Sequence, residues 1–351
     1  MDIAQTSEGR YVRASDIVQL GLVQSAKKWY CPHCKQAVFF KMGPQTRPHF
    51  AHFHQKVDHR GMGESALHQE AKFLIAQQLQ SEHFTCQLEY PIEDKARRAD
   101  VFVNQQSGIA EDLTIEIQYS PIAGKAVVAR QVDYGIFGIA VVWLLGYQSD
   151  YASIFKSPKG VNPKASVVNR LRPFIIQIPD FGLCLPYWYE DKQCVMLVHI
   201  DVYGKAVRKM MMKVPKYITD FYFQSKTAAA DNQGIKIETT SLPKNVHRFI
   251  QSILVSPNQY EKRLLDFLYL HSKYIQHFNH RIFSYRHQAI FAKHVDWHFL
   301  VIYQVLAEQG QTLTEILSYM YDHECFYDQA PFTKEMFQTY IQALIDHYDL
   351  S

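Results

Sequence analysis

Between residues 64 and 80, Leu67, Ala71, Leu74, Ile75 and Leu79 fall on one stripe at about 100° per residue, and this period predicts a helix. Gly61 and Gly63 mark its start. Three strand-like runs follow, FTCQLEY, RADVFV and LTIEIQY, and the polar, turn-rich stretch between the last two predicts a hairpin. After Ser120-Pro121 a second helix is expected to about Tyr134, with Ser120 as its N-cap and the proline in its first turn. IAVVWLL then reads as a continuous apolar strand. Helix, three strands, helix, strand implies a parallel crossover, so the centre of the chain is an α/β core with a mixed sheet flanked by helices. FIIQIP and CVMLVHI, separated by aromatic-rich sequence, either extend that sheet or form a small platform beside it.

The flanks read differently. Residues 1–60 lack a long period and suggest short β pieces, a short helix capped at Ser15, and the knuckle WYCPHC. KTAAADNQG, residues 226–234, has the composition of a linker, and beyond it VHRFIQSILV, YEKRLLDFLYLHSKYI, WHFLVIYQVLAEQ, LTEILSYMY and EMFQTYIQALIDHY are helical in period. A chain of 351 residues exceeds what one core usually serves. The expected organisation is a small β module at 1–60, the mixed α/β domain at 61–225 and an all-α domain at 240–351.

A formal net charge of +3 is too small to mark a nucleic-acid binder by itself, so any basic patch must be local. Two stretches qualify: Lys156, Lys159, Lys164, Arg170 and Arg172, then Lys205, Arg208, Lys209, Lys213 and Lys216. Each is either a solvated face or a phosphate contact. No charged start followed by an apolar run opens the chain, and no window approaches the roughly 18 apolar residues of a membrane span, so a cytoplasmic location is expected. Cys86, Cys184, Cys194 and Cys325 sit in apolar segments and read as small buried hydrophobes. With neither a P-loop nor a G-x-G-x-x-G motif, nothing supports NTP hydrolysis or dinucleotide binding.

Cys31-Pro-His-Cys34 places two thiolates on a tight turn, and His49 and His52 follow in HFAH. The four suit a tetrahedral structural Zn2+ site, with His54 as the alternative to His52. The competing reading is a redox pair, or two buried thiols with surface histidines. A structural metal would offset the small core of so short a segment.

In LTIEIQY, alternation sends Thr114, Glu116 and Gln118 to one face, and in RADVFV it puts Asp100 with Phe102. If the hairpin forms, Asp100 lies beside Glu116, and two such acids repel unless a cation sits between them. On the preceding helix Glu64 and His68 fall within the apolar stripe with Lys72 on its flank, and a shared metal site would give these ionisable groups partners. The opposing reading is a one-sided sheet with exposed acids and a Glu64 that favours the helix dipole. Arg130 and Tyr134, one turn apart on the next helix, suit phosphate contact or an ordinary half-exposed face.

CPHC, HFAH, GESALHQEAK, RRADV and EIQYS, then Arg130, Tyr134 and VVWLLG, together resemble the competence protein CoiA family over roughly residues 1–200. The resemblance implies a restriction-endonuclease-like central domain of the PD-(D/E)xK type. It makes Asp100 the motif aspartate, Glu116 the second acid and Glu64 the helix-borne acid, with Gln118 where the motif lysine usually sits. It also implies a role in processing or recombination of DNA taken up during transformation. Two functions follow. In the first, a Mg2+- or Mn2+-dependent nuclease acts on single-stranded or branched DNA: Glu64, Asp100 and Glu116 hold the metal, Gln118 places water, and Lys72, Arg98, Arg130 and Tyr134 face the DNA. In the second, an inactive nuclease fold binds DNA as a recombination accessory, with recombination or DNA-uptake proteins as partners. Gln118 separates them, because an amide positions water but does not deprotonate it.

Overall fold

The computed structural model describes residues 3–19, 28–32, 35–43, 46–53, 65–92, 97–152, 165–178, 181–222, 235–327 and 332–350. Cys34, His54, Glu64, Lys156, Lys159, Lys164 and the linker at 226–234 lie outside them. The chain divides into two compact units, Met1–Ala152 with Pro186–Leu197 and Met210–Lys226, and Ser153–Leu185 with Val198–Lys209 and Thr227–Ser351. The N-terminal module and the central strands up to residue 152 thus share one unit.

In the first unit β1 (Ile3–Thr6), β2 (Tyr11–Arg13), β3 (Trp29–Tyr30), β4 (Ala37–Gly43) and β5 (Thr46–His52) form an antiparallel sheet in the order β2-β1-β3-β4-β5. Helix α1 (Ala14–Gln19) follows β2 directly, so Ser15 lies inside the helix and not at its cap. Ala4, Ala14, Ile17, Trp29, Cys31, Val38 and Phe50 make a small core. The Tyr11 hydroxyl accepts the Leu88 N–H at 2.6 Å, and Arg13 Nη2 meets Glu70 Oε1 at 2.6 Å, which ties this sheet to the next elements.

Helix α2 (Ala66–Ser81) begins at Ser65, whose hydroxyl accepts the His68 N–H. Its stripe buries Ala71, Ile75 and Leu79, whereas Leu67 in the first turn is exposed. Then come β6 (Cys86–Ile92), β7 (Arg97–Val103), β8 (Leu113–Gln118), α3 (Gly124–Ile136) and β9 (Ala140–Gly146). β6, β7 and β8 pair antiparallel, and β8 and β9 pair parallel across the α3 connection, as the mixed-sheet reading requires. Ser120 does not cap α3. The helix starts at Gly124 after Ala123, because Tyr151 holds the intervening segment as a loop: its hydroxyl accepts the Ile122 N–H at 3.0 Å and donates to the Ser120 carbonyl at 3.1 Å.

After α4 (Ala165–Leu171) come β10 (Ile176–Ile178), β11 (Gly182–Tyr189), β12 (Cys194–Ile200) and β13 (Ala206–Met212), which extend the sheet in the order β13-β12-β11-β9-β8-β7-β6, with β10 on β11. The aromatic-rich GLCLPYWY is therefore not a separator but the parallel neighbour of β9. Six consecutive buried positions leave it no alternation to read. In the second basic stretch Lys205 precedes β13 and pairs with Glu238 at 2.7 Å, while Val207, Arg208 and Lys209 are exposed on edge strand β13, an arrangement that discourages edge pairing. Arg172 leaves the first stretch altogether: it is buried, donates from Nε to the Ile290 carbonyl at 2.6 Å and stacks on Tyr327.

In the second unit the helices Val246–Val255, Gln259–Leu270, Asp296–Glu308, Leu313–Asp322 and Lys334–Leu350 realise the expected helical third. Capping boxes at Asn258/Glu261 and Thr312/Glu315 start two of them. Asp296 is fully buried and accepts from the hydroxyls of Tyr203, at 2.9 Å, and Tyr340. Among the described residues no helix is long and apolar enough to cross a membrane. Cys86, Cys184, Cys194 and Cys325 are buried thiols.

Candidate active site

The β7/β8 register aligns Val101 with Ile115 and Phe102 with Thr114, which carries Asp100 to the side of Glu116. Direct contacts seal that neighbourhood: the Ile117 N–H donates to Asp100 Oδ2 at 2.9 Å, and the Asp100 N–H approaches Glu116 Oε1 at 3.4 Å. Central placement in the sheet buries Glu116 to 1% exposure, so the one-sided-sheet reading fails at this position. A buried carboxylate needs donors. Helix α3 supplies two, the Tyr134 hydroxyl on Oε1 at 2.7 Å and Arg130 Nη1 on Oε2 at 3.0 Å, and Thr114 Oγ1 adds a longer one at 3.4 Å.

Helix α2 serves Asp100 in the same way. His68 Nε2 lies 2.9 Å from Asp100 Oδ2, and Lys72 Nζ lies 3.9 Å from Oδ1. Lys72 was expected to face DNA, yet it is 3% exposed, forms an ion pair with Glu89 and does not line the cavity. Glu89, also buried, takes Arg98 Nε on its other oxygen at 2.6 Å. Its place in the site is not readable from FTCQLEY, where alternation groups it with Gln87. The one available signal was Lys72, an ammonium beside an apolar stripe that needs an acid partner.

Electrostatics separates the two central acids. Burial raises the Asp100 carboxyl, but the His68 hydrogen bond and charge, Lys72 and the Ile117 N–H outweigh it and hold the group below its ordinary value. Burial and the neighbouring Asp100 charge push Glu116 up to about 7, against the opposing pull of Tyr134 and Arg130. Burial and Glu116 in turn raise the Tyr134 phenol, which stays a donor.

These groups open on one cavity of about 430 Å³ lined by acids Glu89, Asp100 and Glu116, by His68, Arg97, Arg98 and Arg130, and by Gln118, Tyr119 and Ser120 among others. Gln118 Nε2 donates to the Ser120 carbonyl at 2.6 Å, which leaves its side-chain oxygen as an acceptor. Arg97 is paired with Asp133 of α3. Glu64 lies outside the described residues, and among those described no group of three or more His, Cys, Asp or Glu side chains is arranged to hold a metal ion.

In the N-terminal sheet, Cys31 is buried beyond the end of β3, with its N–H on the Gln36 carbonyl and its carbonyl on the Lys35 N–H, a tight turn. His49 and His52 lie on β5, opposite Lys41 and Val38 of β4. Val38 also pairs with Trp29, so three strands bring His52 into the row two residues before Cys31. Cys34 and His54 are outside the described residues.

A mixed sheet in which acids of adjacent strands meet in a cavity rimmed by arginines fits a nuclease-like domain behind a small β module. Residues 64–220 match the family described as competence protein CoiA, nuclease-like domain, and residues 14–57 match competence protein CoiA, N-terminal domain. The chain belongs to the competence protein CoiA family. Competence protein CoiA of Bacillus subtilis (strain 168) is 30% identical over 135 residues, which span 36% of this chain and 35% of that protein. No solved structure matches the chain.

Proposed function

We propose that the protein is a metal-dependent nuclease that cuts DNA during competence. The observation that carries this reading is the convergence of Asp100 and Glu116, from adjacent strands, with Gln118 and the arginines 98 and 130 in one cavity. The donors suit a hard divalent ion, since they are carboxylate oxygens, and burial together with the adjacent Asp100 charge holds one of them above its ordinary pKa. Asp100 and Glu116, with Glu64 as the third acid, would hold Mg2+ or Mn2+. Such an ion supplies Lewis acidity and a more acidic bound water. The chain's own groups do the rest. Arg98 and Arg130 bind phosphate oxygens, Tyr134 fixes the Glu116 carboxylate, and the Gln118 side-chain oxygen orients a water by accepting its hydrogen bond. In the β module, Cys31, Cys34, His49 and His52 or His54 would hold a structural zinc.

A second reading, DNA binding without cleavage, is favoured by one observation: Glu116 is already neutralised by Arg130, and Gln118 lacks a lysine's charge. Cleavage assays with Mg2+ or Mn2+ on single-stranded, duplex and branched DNA separate the two. The nuclease predicts cleavage that Asp100→Asn and Glu116→Ala abolish, that Gln118→Lys retains, and DNA binding in EDTA that both losses leave nearly intact. Wild-type protein without any cleavage that Glu116→Ala eliminates would leave the accessory reading in its place.

A further inference from the structure

Glu89 is buried in the middle of β6, although the positions on either side of it in the same alternation, Gln87 and Pro91, retain exposure. Its backbone has φ +54°, a left-handed conformation that disfavours side-chain-bearing residues and persists where the surroundings over-determine it. Those surroundings are two cations. One carboxylate oxygen takes the buried Lys72 ammonium and the other takes Arg98 Nε at 2.6 Å. The Arg98 side chain is 40% exposed and lines the cavity. Arg130, on the same cavity, is likewise gripped by a buried acid, Glu116. An arginine held through one nitrogen by an immobile carboxylate keeps its planar fork in a set direction, the condition for directed recognition of phosphate oxygens.

We propose that Glu89 is a positioning residue: braced by Lys72, it fixes Arg98 at the cavity wall, so that Arg98 and Arg130 together receive a nucleic-acid phosphodiester. The inference rests on the nucleic-acid reading above and adds to it a residue and a sign. Removing a negative charge near a polyanion site ordinarily strengthens binding. Removing an anchor weakens it, because Arg98 then loses the direction that makes its hydrogen bonds.

The test is equilibrium binding of the full-length chain, in EDTA, to a fluorescein-labelled single-stranded oligonucleotide, followed by anisotropy at several salt concentrations. Glu89→Gln is expected to weaken binding about tenfold, the scale of one charge-assisted contact. Arg98→Ala is expected to do the same, Glu89→Gln to add nothing in the Arg98→Ala background, and Glu89→Asp to recover part of the loss. Because Glu89→Gln leaves Lys72 less compensated, the pair Lys72→Met with Glu89→Gln is measured alongside it as a folded, charge-balanced protein, with thermal unfolding as the check. It too is expected to bind weakly. Binding by either variant as tight as wild type, or independent additive losses from Glu89→Gln and Arg98→Ala, overturns the proposal. Absence of binding by the wild-type chain at every salt concentration removes the nucleic-acid reading and the proposal with it.

Discussion

Glu116 offers a stability measurement that needs no substrate. Burial and the Asp100 charge lift its folded-state carboxyl from 4.5 to about 7, so the folded protein binds this proton more tightly than the unfolded chain does. The associated stability is complete below about 4.5 and is lost as pH rises through about 7. At 1.36 kcal/mol per unit, the loss approaches about 3 kcal/mol above neutrality, or on the order of 5–10 °C in Tm for a unit of this size. Glu116→Gln removes the titration while the amide oxygen still accepts from Tyr134. Loss of the Arg130 pair lowers the variant's stability by an amount that does not change with pH, because the amide does not titrate. The decisive quantity is therefore the slope between pH 5 and pH 8.5. Urea unfolding in EDTA, followed by tryptophan fluorescence, should show wild-type stability falling over this range relative to Glu116→Gln. Saturating Mn2+ should flatten the wild-type curve if the ion binds the ionised pair. Parallel curves for the two proteins in EDTA would refute the account of Glu116 as a carboxyl raised by burial.

Zinc is expected to co-purify at about one ion per chain, and Cys34→Ser should remove it; elemental analysis of reduced protein without zinc ends that expectation. Tyr340→Phe deletes one of two phenol donors to Asp296, whose carboxyl burial already pushes up to about 7, and should cost about 1–3 kcal/mol. Since loss of a donor raises this carboxyl further, the cost should be larger at pH 8 than at pH 5, and an equal cost at both would contradict the assignment. Gly146→Ala places a methyl 2.4 Å from the Tyr119 ring beside the cavity and should destabilise by about 1–3 kcal/mol in thermal unfolding. An unchanged Tm would show that Tyr119 moves aside freely.

The sequence alone determined the elements whose periodicity is local: the α2 stripe, the three strands after it, the apolar β9 run and the helical C-terminal third. It also made the meeting of Asp100 and Glu116 depend on a single hairpin with alternating side chains, and the β7/β8 register then brought the two together. Where burial covers both faces of a strand the pattern loses its contrast, and GLCLPYWY accordingly passed for a separator until its neighbours β9 and β10 were seen beside it. Ser120-Pro121 carried a helix-start signal, but a distant Tyr151 hydroxyl decided that the helix begins later. Lys72 and Arg172 had the composition of phosphate contacts, and only the acid, carbonyl and aromatic groups folded around them turned both inward. Glu89 was the deepest of these decisions. A polar residue's burial, pKa and backbone strain depend on groups brought from elsewhere in the chain, here Lys72 of α2 and Arg98 of β7, and no local period encodes which charges will meet.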